Sequence, residues 1–396
     1  MSNSPESAIA VLTLLLTVAG CSSTDQLPRQ LTRVPNAPGQ TTPSLQTNTS
    51  QNGIAPPISP DGRTEGGVVT AIPEMPGPAV QQSLEVDWIS LEGWAVSNRF
   101  MVSRPDTPEA TVRYVVHTPG GAITLTDATR LAYLDGIRVW LGRAPLSAEG
   151  GLFVDSIDIR KNLASLSRPA IHPWVAGPVV VVIDPGHGGE NTGAQSVHDG
   201  RYEKGLTLDW ALRLEPLLAR AGWKVFLTRT NDAELSLADR VALADAANAD
   251  LFISLHFNSS ADPSQSGLET YCLTPTGLPS TLTRDYEDDT TRVFPNNAFD
   301  EGNLQYAVRV HRAMFEVTGD VDRGIRRARF MTVLRGQNCP AVLIEGGYLS
   351  NPREADRIAD PAYRQKLAEA VAKALGSQPG FGERVRINPL EDGTSR

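Results

Sequence analysis

Alternation of apolar runs with helical segments between residues 177 and 376 constrains the fold of this 396-residue chain more than any other feature. The run Val179–Ile183 reads VVVVI, which is typical of a strand buried on both faces of a parallel sheet. The strands predicted after it are Lys224–Thr228, Leu251–Leu255, Leu268–Leu273, Phe330–Leu334 and Ala341–Ile344. The predicted helices are Leu206–Ala221, Leu237–Ala247, Leu304–Val317 and Pro361–Leu375. This alternation predicts an α/β fold, a mostly parallel twisted sheet with helices on both faces.

The first 80 residues predict an export signal and a tether. Ala8–Ala19 is an apolar run of signal-peptide length, shorter than the ~20 residues of a membrane-spanning helix. The run leads into Val-Ala-Gly-Cys, which resembles a bacterial lipobox, so residues 1–21 are predicted to be a lipoprotein-type signal segment. An ordinary secretory signal is the alternative, and Met1–Ser7 lacks the Lys or Arg that either kind normally has. We therefore expect a protein of the periplasm or cell envelope, anchored in the membrane through lipidated Cys21.

The polar residues 22–80 form the predicted tether. This stretch is rich in Pro, Thr, Ser, Gln, Asn and Gly and has almost no aromatic residues. It cannot bury enough apolar surface to offset its ordering entropy, so we expect it to be disordered. Residues 377–396 are predicted to be a loose tail.

Residues 84–168 predict a small β-rich domain of mixed structure. The predicted strands are Thr111–His117, Ala122–Leu125, Ala132–Leu141 and Gly151–Val154, with a tight hairpin turn at Asp135-Gly136. Val86–Ala95 and Ser156–Leu166 are predicted to be helical or mixed. In one hairpin and one strand motif, the segment resembles the small domain named for the N-terminal region of copper amine oxidases. Copper is not implied, since His117 is the only histidine of the segment, and a binding or scaffolding module is the expectation.

Polar side chains follow three of the predicted strands in the second half of the chain. His187 follows VVVVI, His256 follows LFISL and Glu345 follows AVLI, while Glu203 opens a predicted helix. Functional groups of open α/β sheets gather at the carboxyl ends of the strands, so these residues are expected at one rim. Two imidazoles and a carboxylate are a common ligand set for catalytic zinc, and a further carboxylate can act as general base. Strand-end histidines bonded to backbone carbonyls are the alternative.

Six stretches of the C-terminal half carry a family resemblance. They are VVIDPGHGGENTGA, YEKGLTLDWALRLEPLL, GWKVFLTRTND, LSLADRVALADAAN, ADLFISLHFNSS and GIRRARFMTVLRGQNCPAVLIEGGYLSNPREADRI. In these stretches, and in their order, the chain resembles the zinc-dependent N-acetylmuramoyl-L-alanine amidases, the type-3 amidase family of bacterial cell-wall hydrolases. The resemblance implies that residues 177–376 are a catalytic domain. It also implies hydrolysis of the amide between N-acetylmuramic acid and the L-alanine of the stem peptide.

The resemblance also implies roles for individual residues. The family's zinc ligands fall on His187, Glu203 and His256, for one Zn²⁺ per catalytic domain, and its catalytic glutamate falls on Glu345. Peptidoglycan is the implied partner. A protein activator is a further expectation, on which the sequence itself is silent. Two departures from the family pattern are Gly346, where a Thr commonly follows the catalytic Glu, and Phe257, which replaces a small residue.

Several other polar residues have weaker expectations. Asn258 and Glu269 are expected to shape the substrate rim. His198 is an alternative ligand or, more simply, an exposed loop residue. Arg229 and Asp232 are expected to form a structural ion pair or turn cap rather than a catalytic pair.

Two features leave open alternatives. The polar residues 274–303 are either a loop that lines or gates the substrate groove or a disordered surface insertion. Cys272 and Cys339 both lie beside apolar runs, so they are either buried free thiols or a disulfide pair.

Charge and composition limit the function further. A net charge of −9 and a pI near 5.3 argue against a nucleic-acid partner, because phosphate binding needs a basic surface. Besides a peptidoglycan amidase, two readings stay open: a non-catalytic peptidoglycan-binding or regulatory protein, and a zinc peptidase acting on stem peptides.

Overall fold

The computed structural model describes residues 86–105, 113–169, 179–282 and 288–376. The predicted signal segment with Cys21, the predicted tether 22–80 and the predicted tail 377–396 lie outside the described residues. In the described ranges, no helix combines the length and the apolar character needed to cross a bilayer.

The described strands form an eleven-stranded sheet and a three-stranded sheet. The strands are β1 Trp88–Ser90, β2 Met101–Ser103, β3 Arg113–Thr118, β4 Gly121–Thr126, β5 Leu131–Leu134, β6 Ile137–Trp140, β7 Leu146–Ala148, β8 Gly151–Asp155, β9 Val180–Pro185, β10 Lys224–Leu227, β11 Leu251–Asn258, β12 Leu268–Cys272, β13 Asp322–Arg327 and β14 Ala341–Tyr348. The order in the large sheet is β10-β9-β11-β14-β12-β13-β6-β5-β4-β3-β2, and the order in the small one is β1-β8-β7.

The described helices pack against these sheets. They are α1 Leu91–Ser97, α2 Ser156–Asp158, a π-helical turn Ile159–Leu163, α3 Ala164–Leu166, α4 Glu203–Arg220, α5 Leu237–Ala247, a 3-10 turn Pro295–Phe299, α6 Asp300–Thr318, α7 Thr332–Arg335, α8 Pro352–Ala359 and α9 Pro361–Leu375. Helix α5 starts where the sequence predicts it, because Ser236 and Asp239 form a capping box.

The predicted α/β class is confirmed. Strands β10, β9, β11 and β14 are parallel to one another, and β12 is parallel to β13. Among the described pairs of β9–β14, only β12 and β14 are antiparallel. Helices α4, α6 and α9 share one apolar core with one face of the sheet, through Trp210, Val310 and Leu367. Helices α5 and α7 cover the other face, through Ala244 and Val333.

One predicted strand is wrong. Residues 330–334 form a loop and the start of α7, and the strand beside β12 is β13 instead. The run FMTVL is apolar because Val333 and Leu334 are buried against neighbouring elements, not because it is extended. Strand β13 reads DRGIRR, and it escapes sequence analysis because its buried arginines depend on partners elsewhere in the fold. Helix α8 was also not predicted.

The amino-terminal strands β2–β6 extend the same sheet. Strand β6 pairs with β13 at Val139 and Ile325, and β2–β6 continue as antiparallel neighbours. The predicted hairpin turn joins β5 to β6, with positive φ at both Asp135 and Gly136, as a tight two-residue turn requires. The domain limits 84–168 and 177–376 stay predictions, since described strands of both segments hydrogen-bond into one sheet.

The first residues of the loop 274–303 are packed, whereas its residues 289, 291–293, 295 and 298 are exposed. Thr274, Leu278 and Ser280 are buried, and the Thr281 amide donates to the Arg327 carbonyl at 2.8 Å. For residues 274–281 the alternative of a disordered surface insertion is therefore wrong. A gating role for the loop stays a prediction.

Cys272 and Cys339 are both buried and both free. Of the two alternatives, free thiols therefore hold. Burial raises the pKa of the Cys272 thiol and raises the pKa of Cys339 to about 12, so both are neutral and unreactive at ordinary pH.

Candidate metal centre

His187 occupies a constrained loop directly after β9. Its φ of 64° lies in the left-handed region, which is uncommon for a residue other than glycine. Its Nδ1 is 2.8 Å from Asn191 Oδ1, and its backbone carbonyl accepts a hydrogen bond from Arg240 at 2.7 Å. Because Nδ1 is hydrogen-bonded to the amide oxygen of Asn191, Nε2 is the ring nitrogen that is available to bind a metal ion.

A buried ion pair supports this loop from below. Arg240 Nη1 lies 2.5 Å from Asp184 Oδ1, and Thr228 and Ser254 also donate to that carboxylate. Burial alone raises the pKa of Asp184, but the charge of Arg240 and these hydrogen bonds outweigh it and lower the pKa. Arg229 donates to the carbonyls of Pro185 and Gly186, so two guanidinium groups fix the backbone that leads into His187.

Glu203 is the first residue of α4 and faces both histidines. Its Oε1 lies 3.0 Å from His187 Nε2 and 3.0 Å from His256 Nδ1. The amides of Phe257 and Ala194 donate to its two oxygens at 3.0 and 2.9 Å. Burial raises the pKa of Glu203, but the hydrogen bonds and charges of the histidines outweigh it, so the pKa is lowered and the group is a carboxylate.

The donor atoms of His187, Glu203 and His256 all lie within 4.8 Å of one another. Burial lowers the pKa of His256, and Glu203 opposes this only in part, so the imidazole is neutral as metal binding requires. Glycines leave room for the cluster: a Cβ on Gly186 would lie 2.3 Å from the His256 ring, and one on Gly193 would lie 2.6 Å from Glu203 Oε2. Two imidazoles and one carboxylate at this spacing fit a single Zn²⁺.

Glu345 lies beside the cluster on the next strand. It pairs in register with His256 across β11 and β14, so the two side chains share one face. Its Oε2 is buried and has no hydrogen-bond partner among the described residues. Burial, and then the charges of Glu203 and Glu269, raise the pKa of Glu345 well above its usual value. A buried carboxyl with an unused oxygen beside a metal-ligand set is a candidate for proton transfer.

Glu269 lies opposite Glu345 on β12 and is only 2% exposed. Its Oε1 accepts from Arg323 Nε at 2.8 Å and from Arg326 Nε at 2.9 Å. Its Oε2 accepts from Tyr271 at 2.6 Å and from Asn258 at 3.0 Å. Burial raises the pKa of Glu269, but Arg326 and Arg323 outweigh it and lower the pKa, so Glu269 is a fixed negative charge.

Three residues with weaker expectations lie outside the cluster. His198 is 42% exposed and faces Asp356 at 3.5 Å. Asp232 forms an ion pair with Lys204 at 2.6 Å and accepts a hydrogen bond from the Gly189 amide. Its ion-pair partner is therefore Lys204 rather than Arg229.

The two departures from the family pattern touch each other. A Cβ on Gly346 would lie 2.9 Å from the Phe257 ring and 2.9 Å from the Trp210 ring. The Phe257 side chain is 1% exposed and fills this space on the side of β11 opposite His256. The larger residue at position 257 and the smaller one at 346 are therefore complementary.

Sequence reasoning missed Asn191, Tyr271 and the pair Arg323 and Arg326. The arginines could have been found from strand pairing, because a buried glutamate on a central strand needs cationic or hydrogen-bonding partners on a neighbouring strand. The strand carrying those cations was not recognised, so that signal was lost.

Comparison with known proteins is consistent with this geometry. Residues 181–377 match the family model described as N-acetylmuramoyl-L-alanine amidase. The chain is 33% identical over 199 residues to the N-acetylmuramoyl-L-alanine amidase CwlM of Bacillus licheniformis, a match covering 50% of this chain and 67% of that protein. It is 30% identical over 220 residues to AmiA of Escherichia coli (strain K12), covering 50% of this chain and 75% of that protein.

Other similar proteins are longer or are known as structures. LytC of Bacillus subtilis (strain 168) is 32% identical over 222 residues, but the match covers only 40% of that protein and 53% of this chain. The catalytic domain of the amidase CwlV from Bacillus (Paenibacillus) polymyxa var. colistinus is 33% identical, with a TM-score of 0.41. That match covers 50% of this chain and 96% of that one.

Proposed function

The chain belongs to the N-acetylmuramoyl-L-alanine amidase family, and from this premise we propose that it is a zinc-dependent peptidoglycan hydrolase. It cleaves the amide bond between N-acetylmuramic acid and the L-alanine of the stem peptide. The observation that carries the proposal is the convergence of His187, Glu203 and His256 donor atoms within 4.8 Å, with Glu345 in register on the adjacent strand.

His187, Glu203 and His256 would hold the zinc. When bound, the zinc supplies Lewis-acid chemistry, which activates water and polarises the scissile carbonyl. The hydrogen bond that His187 Nδ1 donates to Asn191 Oδ1 orients His187, and the backbone amides of Ala194 and Phe257 orient Glu203. The ligands are thus fixed before substrate arrives, which lowers the reorganisation needed for reaction.

Glu345 moves the proton. Its unpartnered Oε2 takes a proton from the attacking water and returns it to the leaving nitrogen of L-alanine. The raised pKa of Glu345 favours the second half of this cycle, because a carboxylic acid must be present to protonate the amine. A cation held by the three ligands opposes the two neighbouring negative charges and so favours the first half.

Two competing functions predict other products. A non-catalytic peptidoglycan-binding or regulatory protein has no use for a desolvated, unpartnered carboxyl next to a ligand set, since such a group is costly to bury. A zinc peptidase would share the metal chemistry but cleave within the stem peptide. We further propose export to the cell envelope with peptidoglycan as the partner. Lipid anchoring at Cys21 and a protein activator stay predictions.

The test is product analysis on purified sacculi together with the metal content of the same protein. The proposal expects about one zinc per chain and release of stem peptides that begin with a free L-alanine amine, with loss of activity after chelation and recovery with Zn²⁺. Cleavage between stem-peptide residues would favour the peptidase. Binding to sacculi without any product would favour the non-catalytic protein.

A further inference from the structure

The sheet face that carries the candidate metal centre continues sideways to the amino-terminal strands. His256 pairs in register with Glu345, and Glu345 pairs with Glu269. Two residues further along β12, Tyr271 pairs with Arg326 on β13. Residues paired in register share a face, and residues two apart in a strand share a face. Arg326 therefore lies on the same face as Glu345.

Arg326 is buried but keeps unused donors. Its side chain is 10% exposed, its Nε donates to Glu269, and its guanidinium carbon lies 4.6 Å from the centre of the Trp140 ring. Its Nη1 and Nη2 have no hydrogen-bond partner in the part of the chain that the structure describes. Beside it, Arg323 Nη1 donates to Gln265 at 2.8 Å, while its Nη2 likewise lacks a partner within the described ranges. These Nη atoms are not among the fully buried atoms that lack a partner, so they reach the surface and can donate to a bound group.

The charge around these donors is unbalanced. Two guanidinium groups share one carboxylate, Glu269, which leaves one positive charge in excess. Glu269 has no capacity to take more donors, because Tyr271 and Asn258 already occupy its other oxygen. The excess charge is therefore open to an anion.

We propose that Arg323 and Arg326, with Trp140 against Arg326, form a subsite for a carboxylate of the stem peptide. The proposal rests on the proposed function. The amino group of the stem peptide is consumed in the scissile amide, so its charged groups nearest to that bond are carboxylates. Guanidinium groups bind carboxylates through paired, charge-assisted hydrogen bonds. Because Trp140 belongs to β6, the amino-terminal strands take part in the site.

The experiment compares two soluble muramoyl-peptides with the zinc-loaded full chain. One carries free peptide carboxylates, and the other has them converted to primary amides, which removes charge at nearly constant size. We expect amidation to raise KM on the order of 10- to 100-fold in the wild type with little change in kcat. Arg326→Gln should remove most of this difference, and Arg326→Lys should keep part of it. Arg312→Gln, which removes a partly exposed arginine on α6, should keep all of it.

The outcomes separate the two proposals. Cleavage of both peptides with equal KM by the wild type overturns the subsite and leaves the amidase function intact. If neither peptide is cleaved, the amidase function is overturned. Calorimetric binding of the two peptides then tests the subsite by itself, and we expect the peptide with free carboxylates to bind more tightly. The wild-type comparison decides even if Arg326→Gln fails to fold.

Discussion

The two halves of the large sheet bury their strands differently. All residues of β9 and β12 are buried, and in β11 all but two are, because helices cover both faces. In β4 and β6, buried residues alternate with partly exposed ones, because only one face meets the core. In the first half, polar side chains reach solvent mainly at strand ends, so His256 and Glu345 meet at one rim. In the second half, polar side chains are spread along an open face.

Substitutions of polar residues should therefore have different effects in the two halves of the sheet. In the doubly covered half, a change of one polar group affects catalysis or leaves a buried charge without a partner. In the half with one open face, water can replace many lost contacts. Four sets of substitutions can break or sharpen this difference.

The largest expected effect is on catalysis at the rim. Glu345→Ala should lower kcat by about 10²- to 10⁴-fold while zinc is kept, because it removes a proton-transfer group. His187→Ala or His256→Ala should lose zinc as well as turnover, because each removes a ligand. Zinc per chain by elemental analysis and product release from sacculi measure both effects. Equal zinc loss in Glu345→Ala would mean that Glu345 is a ligand rather than the base.

The next effect is on stability beneath the rim. Asp184→Asn leaves Arg240 buried without its carboxylate and should lower the free energy of unfolding by about 3–5 kcal/mol. Glu316→Gln is the control, since Glu316 and Lys373 are 53% and 69% exposed, and it should cost no more than about 1 kcal/mol. Urea unfolding measures both. A similar small loss in the two variants would show that water reaches the Asp184 pair.

A smaller effect is expected behind the catalytic strand. Gly346→Thr should cost about 1–3 kcal/mol, because the new Cβ meets the Phe257 and Trp210 rings at 2.9 Å. The same substitution in a Phe257→Ala background should cost less, because the ring that it meets is gone. A double-mutant cycle in urea unfolding measures the coupling. Additive effects would show that positions 257 and 346 are not complementary.

The sequence predicted strands best where the residues of one segment suffice to identify a strand. The composition of VVVVI alone indicates a strand that is buried on both faces. The polar residues that follow three strands are expected at one rim because parallel strands end at the same edge of a sheet. The structure brings His187, Glu203 and His256 together at that rim. DRGIRR, in contrast, can lie in the sheet only with partners for its buried charges, and Glu269 on β12 accepts from Arg323 and Arg326. No local pattern contains that partner.

The same limit applies to the residues around Glu345. The sequence shows a glutamate at position 269 near a strand start, but not that four donors saturate it. It also shows a hairpin over Ala132–Leu141, but not that β6 joins β13 and brings the Trp140 ring against Arg326. Pairings between segments more than a hundred residues apart depend on tertiary packing, which periodicity does not encode.

The last test makes the same substitution in both halves, and one of its two variants has the smallest expected effect. Thr270 on β12 is fully buried, and its hydroxyl is 3.0 Å from His311 Nδ1, whose Nε2 is 3.0 Å from Asp322. Thr270→Ala should cost about 1–3 kcal/mol, because the buried ring nitrogen loses its partner. Thr124 lies on the open face of β4, so Thr124→Ala should cost about 0.5 kcal/mol, since water replaces its contacts. Urea unfolding of the two variants decides the matter: equal losses would mean that the open face of β2–β6 is covered in solution, and the contrast between the halves would fail.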